Sequence, residues 1–329
     1  MRSLQEHSKV KSISRHPNKN SACSNIIFLF GPTGVGKTEL LLDLDPQRFS
    51  VINADSIQVY RFLDIGSAKA SKAIQSRIEH HLIDIQDPWD QFSVGQFIEQ
   101  ADLACRTIEQ AGKIPVMSGG TAYYFKHFLY GLSEAPPSNE QIRSSLNARI
   151  EQRGRSWAFS YLKEIDPVSA ARIHPSDMYR VSRALEVWET SNKPLSSYAI
   201  PNMVRPGLNP LVIGLKRDHE ILHDRIALRV QQMFDEGLED EIRMLLDMGA
   251  KQWWPGLQGI GYREFFQAME SGEWSRSSIA QQIVRNSRLY AKRQLTFFRS
   301  FTQAKWYDPT DKETILTEIE KATLLPLDR

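Results

Sequence analysis

Residues 26–30 (Ile-Ile-Phe-Leu-Phe) form an unbroken apolar run that ends at Gly31. No polar residue interrupts it, so it predicts a strand covered on both faces, as inside a parallel sheet. Glu39-Leu-Leu-Leu-Asp-Leu44 then reads as a short helix. Val51-Ile52 leads a second strand into Asn53-Ala-Asp55 and a polar loop. Residues 81–85 and 114–117 have strand character too. Between them Phe97, Ala101, Ala104 and Ile108 recur at helical spacing, which predicts an amphipathic helix over 94–110. Strands alternating with helices predict an α/β class with a parallel sheet.

Beyond Gly131 the strand signal stops. Residues 139–153, 157–165 and 177–190 read as helices, separated by Asp166-Pro167, His174-Pro175 and Lys193-Pro194. Strand character returns at Leu211-Val-Ile-Gly-Leu215, with helices from there to the end. The expected layout is a core in two parts, 25–131 and 206–329, interrupted by a helical insert at 132–205. Residues 1–24 carry Arg2, Lys9, Lys11, Arg15 and Lys19 against Glu6 alone, among many Ser and Asn. They predict a disordered basic tail. A secretory signal would need an apolar middle, and an organelle transit peptide is the lesser alternative.

Composition narrows the class. The 329 residues are 41% hydrophobic and 24% charged, enough to bury a core without staples. Cys23 and Cys105 are too few for a disulfide framework, lack metal-ligand spacing and read as inert thiols of a reducing compartment. No apolar run approaches a membrane span, so a cytoplasmic, non-membrane protein is expected. A net charge of +2 does not by itself announce nucleic acid.

The strongest chemical signal is Gly31-Pro32-Thr33-Gly34-Val35-Gly36-Lys37-Thr38, a full G-x-x-x-x-G-K-[ST] match between a predicted strand and helix. Its glycines let backbone N–H groups curl around a phosphate where a Cβ would clash. The helix N-terminus adds partial positive charge, Lys37 adds a point charge, and the Thr38 hydroxyl can hold Mg²⁺. The predicted fold is therefore a P-loop NTPase-like parallel-sheet core flanked by helices, with an inserted all-helical subdomain. ATP, GTP or an isoprenyl diphosphate would all satisfy this loop. Leu82-Ile-Asp84 is a weak Walker B remnant.

Asp55 ends the second strand, at the sheet edge where ligands bind in open α/β folds. It is a candidate magnesium ligand, helix cap or general base. Ser56, Ile57 and Gln58 beside it offer polar groups suited to a base edge. Between Glu273 and Asp308 there is no acid, while Arg285, Arg288, Lys292 and Arg299 fall at helical spacing. Such a basic stripe suits a phosphate backbone.

Gly-Pro-Thr-Gly-Val-Gly-Lys-Thr, Asn53-Ala-Asp-Ser-Ile-Gln-Val-Tyr60 and Asp64-Ile-Gly-Ser-Ala-Lys69 together resemble the bacterial tRNA dimethylallyltransferases. So do His80-His-Leu-Ile-Asp84, Ser118-Gly-Gly-Thr121, Arg225-Ile-Ala-Leu-Arg229 and Ala291-Lys-Arg-Gln-Leu-Thr296. The resemblance implies that the loop holds the diphosphate of dimethylallyl diphosphate. It implies attack by N6 of the adenine 3′ to the anticodon, with Asp55 as the base. Thr33, Lys37 and Thr38 would contact diphosphate, Thr38 through Mg²⁺, and Arg229 would balance the leaving charge. It further implies tRNA contacts at Asp55, Ser56, Ile57, Gln58 and Thr121, at Arg143, and at Tyr179, Arg180, Val181, Ser182 and Arg183. The partner is then the anticodon stem-loop, bound by a monomer. Ser67 replaces a commoner Thr, Ala122-Tyr-Tyr124 departs from a common Gly-Leu-Tyr, and His219 stands where an arginine is expected. No Cys/His pairs exist for the zinc finger of eukaryotic relatives. The alternative is a P-loop kinase using ATP, which would want an arginine-bearing lid.

Overall fold

A computed structural model describes residues 24–198 and 201–324. The predicted tail lies outside these residues apart from Ser24. The first part of the chain alternates β1 (Asn25–Phe30), α1 (Lys37–Leu41), β2 (Phe49–Asn53), α2 (Lys72–Arg77), β3 (His80–His81), α3 (Val94–Gln110), β4 (Ile114–Gly119) and α4 (Ala122–Tyr130). Four helices follow without a strand: α5 (Glu140–Arg153), α6 (Arg155–Ile165), α7 (Pro167–Ala170) and α8 (Met178–Ser191). The remainder is β5 (Asn209–Leu215), α9 (His219–Asp235), α10 (Leu238–Asp247), α11 (Arg263–Ser271), α12 (Arg276–Phe298), β6 (Lys305–Tyr307) and α13 (Lys312–Leu324).

The six strands form one sheet in the order β3-β2-β4-β1-β5-β6, every pairing parallel. β1 is central, between β4 and β5, which explains its unbroken apolar run: residues 26–30 are all buried. Phe30 stacks on Phe298 of α12 with ring centroids 4.3 Å apart. Parallel strands carry their C-terminal ends to one edge. The loops after β1, β2 and β4 therefore meet there, and they hold the phosphate loop, Asp55 and Thr121.

Two expectations are corrected. β3 is two residues long rather than residues 81–85, because Leu82 and Asp84 adopt left-handed backbone conformations, φ 63° and 57°. Asp84 then turns to Lys69 and Lys72, at 2.6 and 3.0 Å, so it is an ion-pair partner, not a Walker B acid. The all-helical ending also misses β6, a three-residue edge strand. Cys105 is buried and disulfide-bonded rather than a free thiol; Cys23 lies outside the described residues. No described helix is long and apolar enough to cross a membrane.

Residues 130–204 are a second compact unit. Its core is Leu146, Ala158, Leu162, Val181, Ala184 and Leu185. Asn139 and Asp177 cap α5 and α8. Asp166 accepts from Ser169 N–H and Ser196 N–H at 3.0 and 2.9 Å, closing the unit's loops on one buried carboxylate.

Candidate active site

The phosphate loop leaves β1 and turns into α1 through Gly36, whose φ of 119° only glycine adopts without strain. Lys37 bends back over the loop, its ammonium donating to the carbonyls of Gly31 and Pro32 at 2.9 and 3.0 Å. Other elements grip the loop from outside. Arg225 of α9 donates to Gly34 O at 2.8 Å, and Arg217 donates to Val35 O at 3.2 Å. Arg229, one turn beyond Arg225, donates to Thr33 Oγ1 at 3.0 Å and to Ala68 O at 3.4 Å. Thr33 N–H donates to Gln294 Oε1 of α12 at 2.9 Å. Thr38 is exposed on the first turn of α1.

Lys37 and Arg229 are both half-buried, and neither makes an ion pair among the described residues. Burial, then the Arg229 charge, pulls the Lys37 ammonium down to about 7 against the opposing pull of Asp55. Burial likewise lowers the Arg229 pKa, with Asp55 and Glu39 resisting. Two desolvated cations on a ring of backbone N–H groups make an anion site. With its pKa held down at about 7, the lysine ammonium is favoured by a bound anion, so anion binding above that pH takes up a proton. For pyrophosphate in one ionisation state, affinity should fall as pH rises through about 7, by up to about tenfold per pH unit. Calorimetry showing constant affinity up to pH 9 would contradict this picture. Stability of the ligand-free fold runs the other way. A lowered lysine pKa stabilises least at low pH, so this contribution is lost as pH falls from the ordinary lysine range through 7.

Asp55 faces this site from the end of β2. Its Oδ1 accepts from Ile57 N–H at 3.0 Å and Gln58 N–H at 3.4 Å, which folds the loop back. Oδ2 accepts no hydrogen bond among the described residues. Thr121 Oγ1 holds Ser56 N–H at 2.9 Å. The Gln58 amide donates to Ser67 and Ala68 carbonyls, both at 3.2 Å, so it is tied to the loop that also receives Arg229. Ile57 packs against Gly259, where an added Cβ would approach it to 2.8 Å. Gly119 lets β4 pass Ala54, since a Cβ there would lie 2.2 Å from Ala54 O.

Three site residues escaped the sequence reading. Tyr290 lies beside Thr121 and Gln294, and burial followed by the Asp55 charge pushes its phenol up to about 12. Gln294 is buried between the loops. Arg217 grips the loop two residues before His219, which instead lies tilted against His223 with centroids 3.9 Å apart. Tyr290 and Gln294 lie four apart, the spacing of one helix face, within the basic stripe. That spacing was the available signal.

The other predicted residues divide. Arg285 and Lys292 are exposed on α12. Arg288 is half-buried and donates to His223 O at 3.3 Å, so it is not a free member of the stripe. Arg143 and residues 179–183 belong to the helical unit. Tyr179 and Arg180 are exposed there and Ser182 is half-buried. Val181 differs from its neighbours: its side chain is fully buried in the unit's core, on the inner face of α8. Arg183 pairs with the buried Glu186 at 3.0 Å and also donates to Pro136 O. Arg143 lies 3.7 Å from Glu186 and bonds Ser138. Both arginines therefore hold the segment before α5.

Residues 58–301 match the family described as IPP transferase. The tRNA dimethylallyltransferase of Borrelia hermsii is 38% identical over 288 residues, 88% of this chain and 95% of that protein. The protein of the same name from Caldanaerobacter subterraneus is 35% identical over 295 residues, 88% and 93% of the two chains. Among solved structures, the tRNA isopentenylpyrophosphate transferase of Bacillus halodurans superposes with TM-score 0.64 at 34% identity, over 91% of this chain and 98% of that one. A eukaryotic dimethylallyltransferase acting on tRNA gives TM-score 0.69 at 25% identity, over 83% and 69%. A phosphate loop facing a strand-end aspartate, with likeness along most of the chain, places this protein in the IPP transferase family.

Proposed function

We propose that the protein transfers the dimethylallyl group of dimethylallyl diphosphate to N6 of the adenine 3′ to the anticodon of tRNA, acting as a monomer in the cytoplasm. The observation that carries this reading is the pair of half-buried, unpaired cations Lys37 and Arg229 facing Asp55. The cations suit a diphosphate leaving group, and the open Oδ2 of Asp55 suits an incoming N–H.

In the reaction, the N6 lone pair attacks the allylic carbon and a C–N bond forms. The C–O bond to diphosphate breaks and its electron pair leaves on oxygen, where Lys37 and Arg229 stabilise the charge. Asp55 accepts the N6 proton, while its Oδ1 keeps the loop folded through Ile57 N–H. The adenine must leave its stack to reach Asp55, as bases do in enzymes that modify them. Ser56, held by Thr121, and Gln58 border that position.

Mg²⁺ fits in a limited way. Among the described residues no cluster of three His, Cys, Asp or Glu could cage an ion. A hydrated Mg²⁺ takes few protein ligands, and the exposed Thr38 hydroxyl would be the one to hold it. When bound, it supplies charge neutralisation at the diphosphate.

The test is transfer of labelled dimethylallyl diphosphate to unmodified tRNA, with ATP hydrolysis followed in parallel. Label on the anticodon-adjacent adenine without ATP consumption supports the reading. ATP turnover without label replaces it with the kinase. A second measurement addresses the stripe. Arg285→Ala with Lys292→Ala should reduce the slope of log affinity for tRNA against log salt by about 0.7 to 0.9 per lost phosphate contact. An unchanged slope would return these side chains to a merely solvated face.

A further inference from the structure

Gln294 is an uncharged polar side chain buried in α12 about one turn before its C-terminal end, 4% exposed, and both ends of its amide are used. Oε1 accepts from Thr33 N–H of the phosphate loop at 2.9 Å. Nε2 donates to Gly120 O at 2.7 Å. The next residue, Thr121, holds Ser56 N–H through its hydroxyl and donates its own N–H to Ala54 O at 3.0 Å. Ala54 and Ser56 flank Asp55. On the other side, Thr33 receives Arg229 on its hydroxyl. A continuous chain of hydrogen bonds thus runs from Arg229 through Thr33, Gln294, Gly120 and Thr121 to the Asp55 loop. The two loops belong to different strand ends, β1 and β4, and one amide spans them. Space at Gly120 is set by this bridge: a Cβ there would lie 2.4 Å from Gln294 Nε2, whereas Asp55 Oδ2, at 3.7 Å, would be in ordinary contact.

We infer that Gln294 is a positioning residue that sets the distance between the leaving-group loop and the Asp55 loop. The inference rests on the functional reading above and names a residue that acts through Thr33 and Gly120 rather than on substrate. An amide suits this work because it donates at one end and accepts at the other without adding charge beside a diphosphate. Asparagine is one methylene too short to reach both partners. Methionine keeps the length and shape and loses both bonds.

A shift of about 1 Å between reacting groups can cost on the order of 100-fold in rate while each ligand still binds. Gln294→Met is therefore expected to lower the single-turnover rate of dimethylallyl transfer by roughly 10- to 100-fold. Its affinity for inorganic pyrophosphate should stay within about threefold of wild type, since the loop's N–H groups and Lys37 remain. Gly120→Ala strikes the same bridge from its other end and should slow transfer in the same range. Because both break the same bridge, the double variant should be little slower than the slower single one.

The experiment measures single-turnover transfer, pyrophosphate affinity and melting temperature for wild type, both single variants and the double variant. A folded Gln294→Met protein that transfers at the wild-type rate overturns the inference. So does a double variant whose losses multiply, because then the two positions act separately. Loss of melting temperature with unchanged transfer below the transition overturns it too, by showing support of the fold alone. Should Gln294→Met fail to fold, Gly120→Ala and Gln294→Asn give the same comparison. Wild-type protein that transfers no label overturns the functional reading and this inference with it, which distinguishes the two failures.

Discussion

Asp55→Asn should lower the rate of dimethylallyl transfer by about 10² to 10⁴-fold, the usual contribution of a positioned acid–base group. The amide can keep the Oδ1 contacts to Ile57 N–H and Gln58 N–H, so the loop should hold its shape. What it loses is the ability to take a proton from N6. Asp55→Ala would also free those two N–H groups and is expected to be slower still. The rate must be read at saturating donor, because the Asp55 charge also raises the Lys37 pKa and its removal alters donor binding. Quench-flow with labelled donor at two pH values gives the comparison. An Asp55→Asn protein within about threefold of wild type at saturation would remove Asp55 from proton transfer and leave it as a cap.

The parts legible in the sequence were those in which backbone geometry dictates residue type. A loop that wraps phosphate with N–H groups needs glycines at fixed spacing. A strand buried on both faces needs an unbroken apolar run, and β1 has one because it sits between β4 and β5. Helix ends in the second unit were readable from Asn139 and Asp177, whose side chains cap the first turns of α5 and α8. Asp55 was visible as a carboxylate at a strand end.

Other features depended on tertiary placement. Asp84 resembles a metal-site acid in sequence, but two left-handed residues turn it toward Lys69 and Lys72. Val181 shares a stretch with exposed Tyr179 and Arg180, yet helical rotation puts it on the inner face of α8. Tyr290 and Gln294 reach the site from α12, far along the chain from the loops they touch. Their burial amid basic residues is a consequence of packing and leaves only the four-residue spacing as a trace. Arg217 likewise grips the phosphate loop two residues before position 219, where an arginine was expected and His219 lies tilted against His223 instead.

Arg229→Met should reduce transfer by roughly 10² to 10³-fold, comparable to the loss of one preorganised group that stabilises developing charge. Methionine fills much of the space and removes the guanidinium that bonds Thr33 Oγ1 and Ala68 O. The electrostatics add a second, independent readout. Arg229 is one of the forces lowering the Lys37 pKa. Without it the lysine should hold its proton to higher pH, and the pH at which pyrophosphate affinity begins to fall should move upward. A variant that is slower at saturating donor yet binds pyrophosphate over a wider alkaline range would carry both signatures. Arg229→Lys keeps the charge but lacks the planar fork that reaches both partners, so it should recover part of the rate and leave the alkaline limit near that of wild type. If Arg229→Met slowed transfer with no change in the pH dependence of pyrophosphate binding, the two cations would not share one anion. The leaving group would then have to be assigned to Lys37 alone.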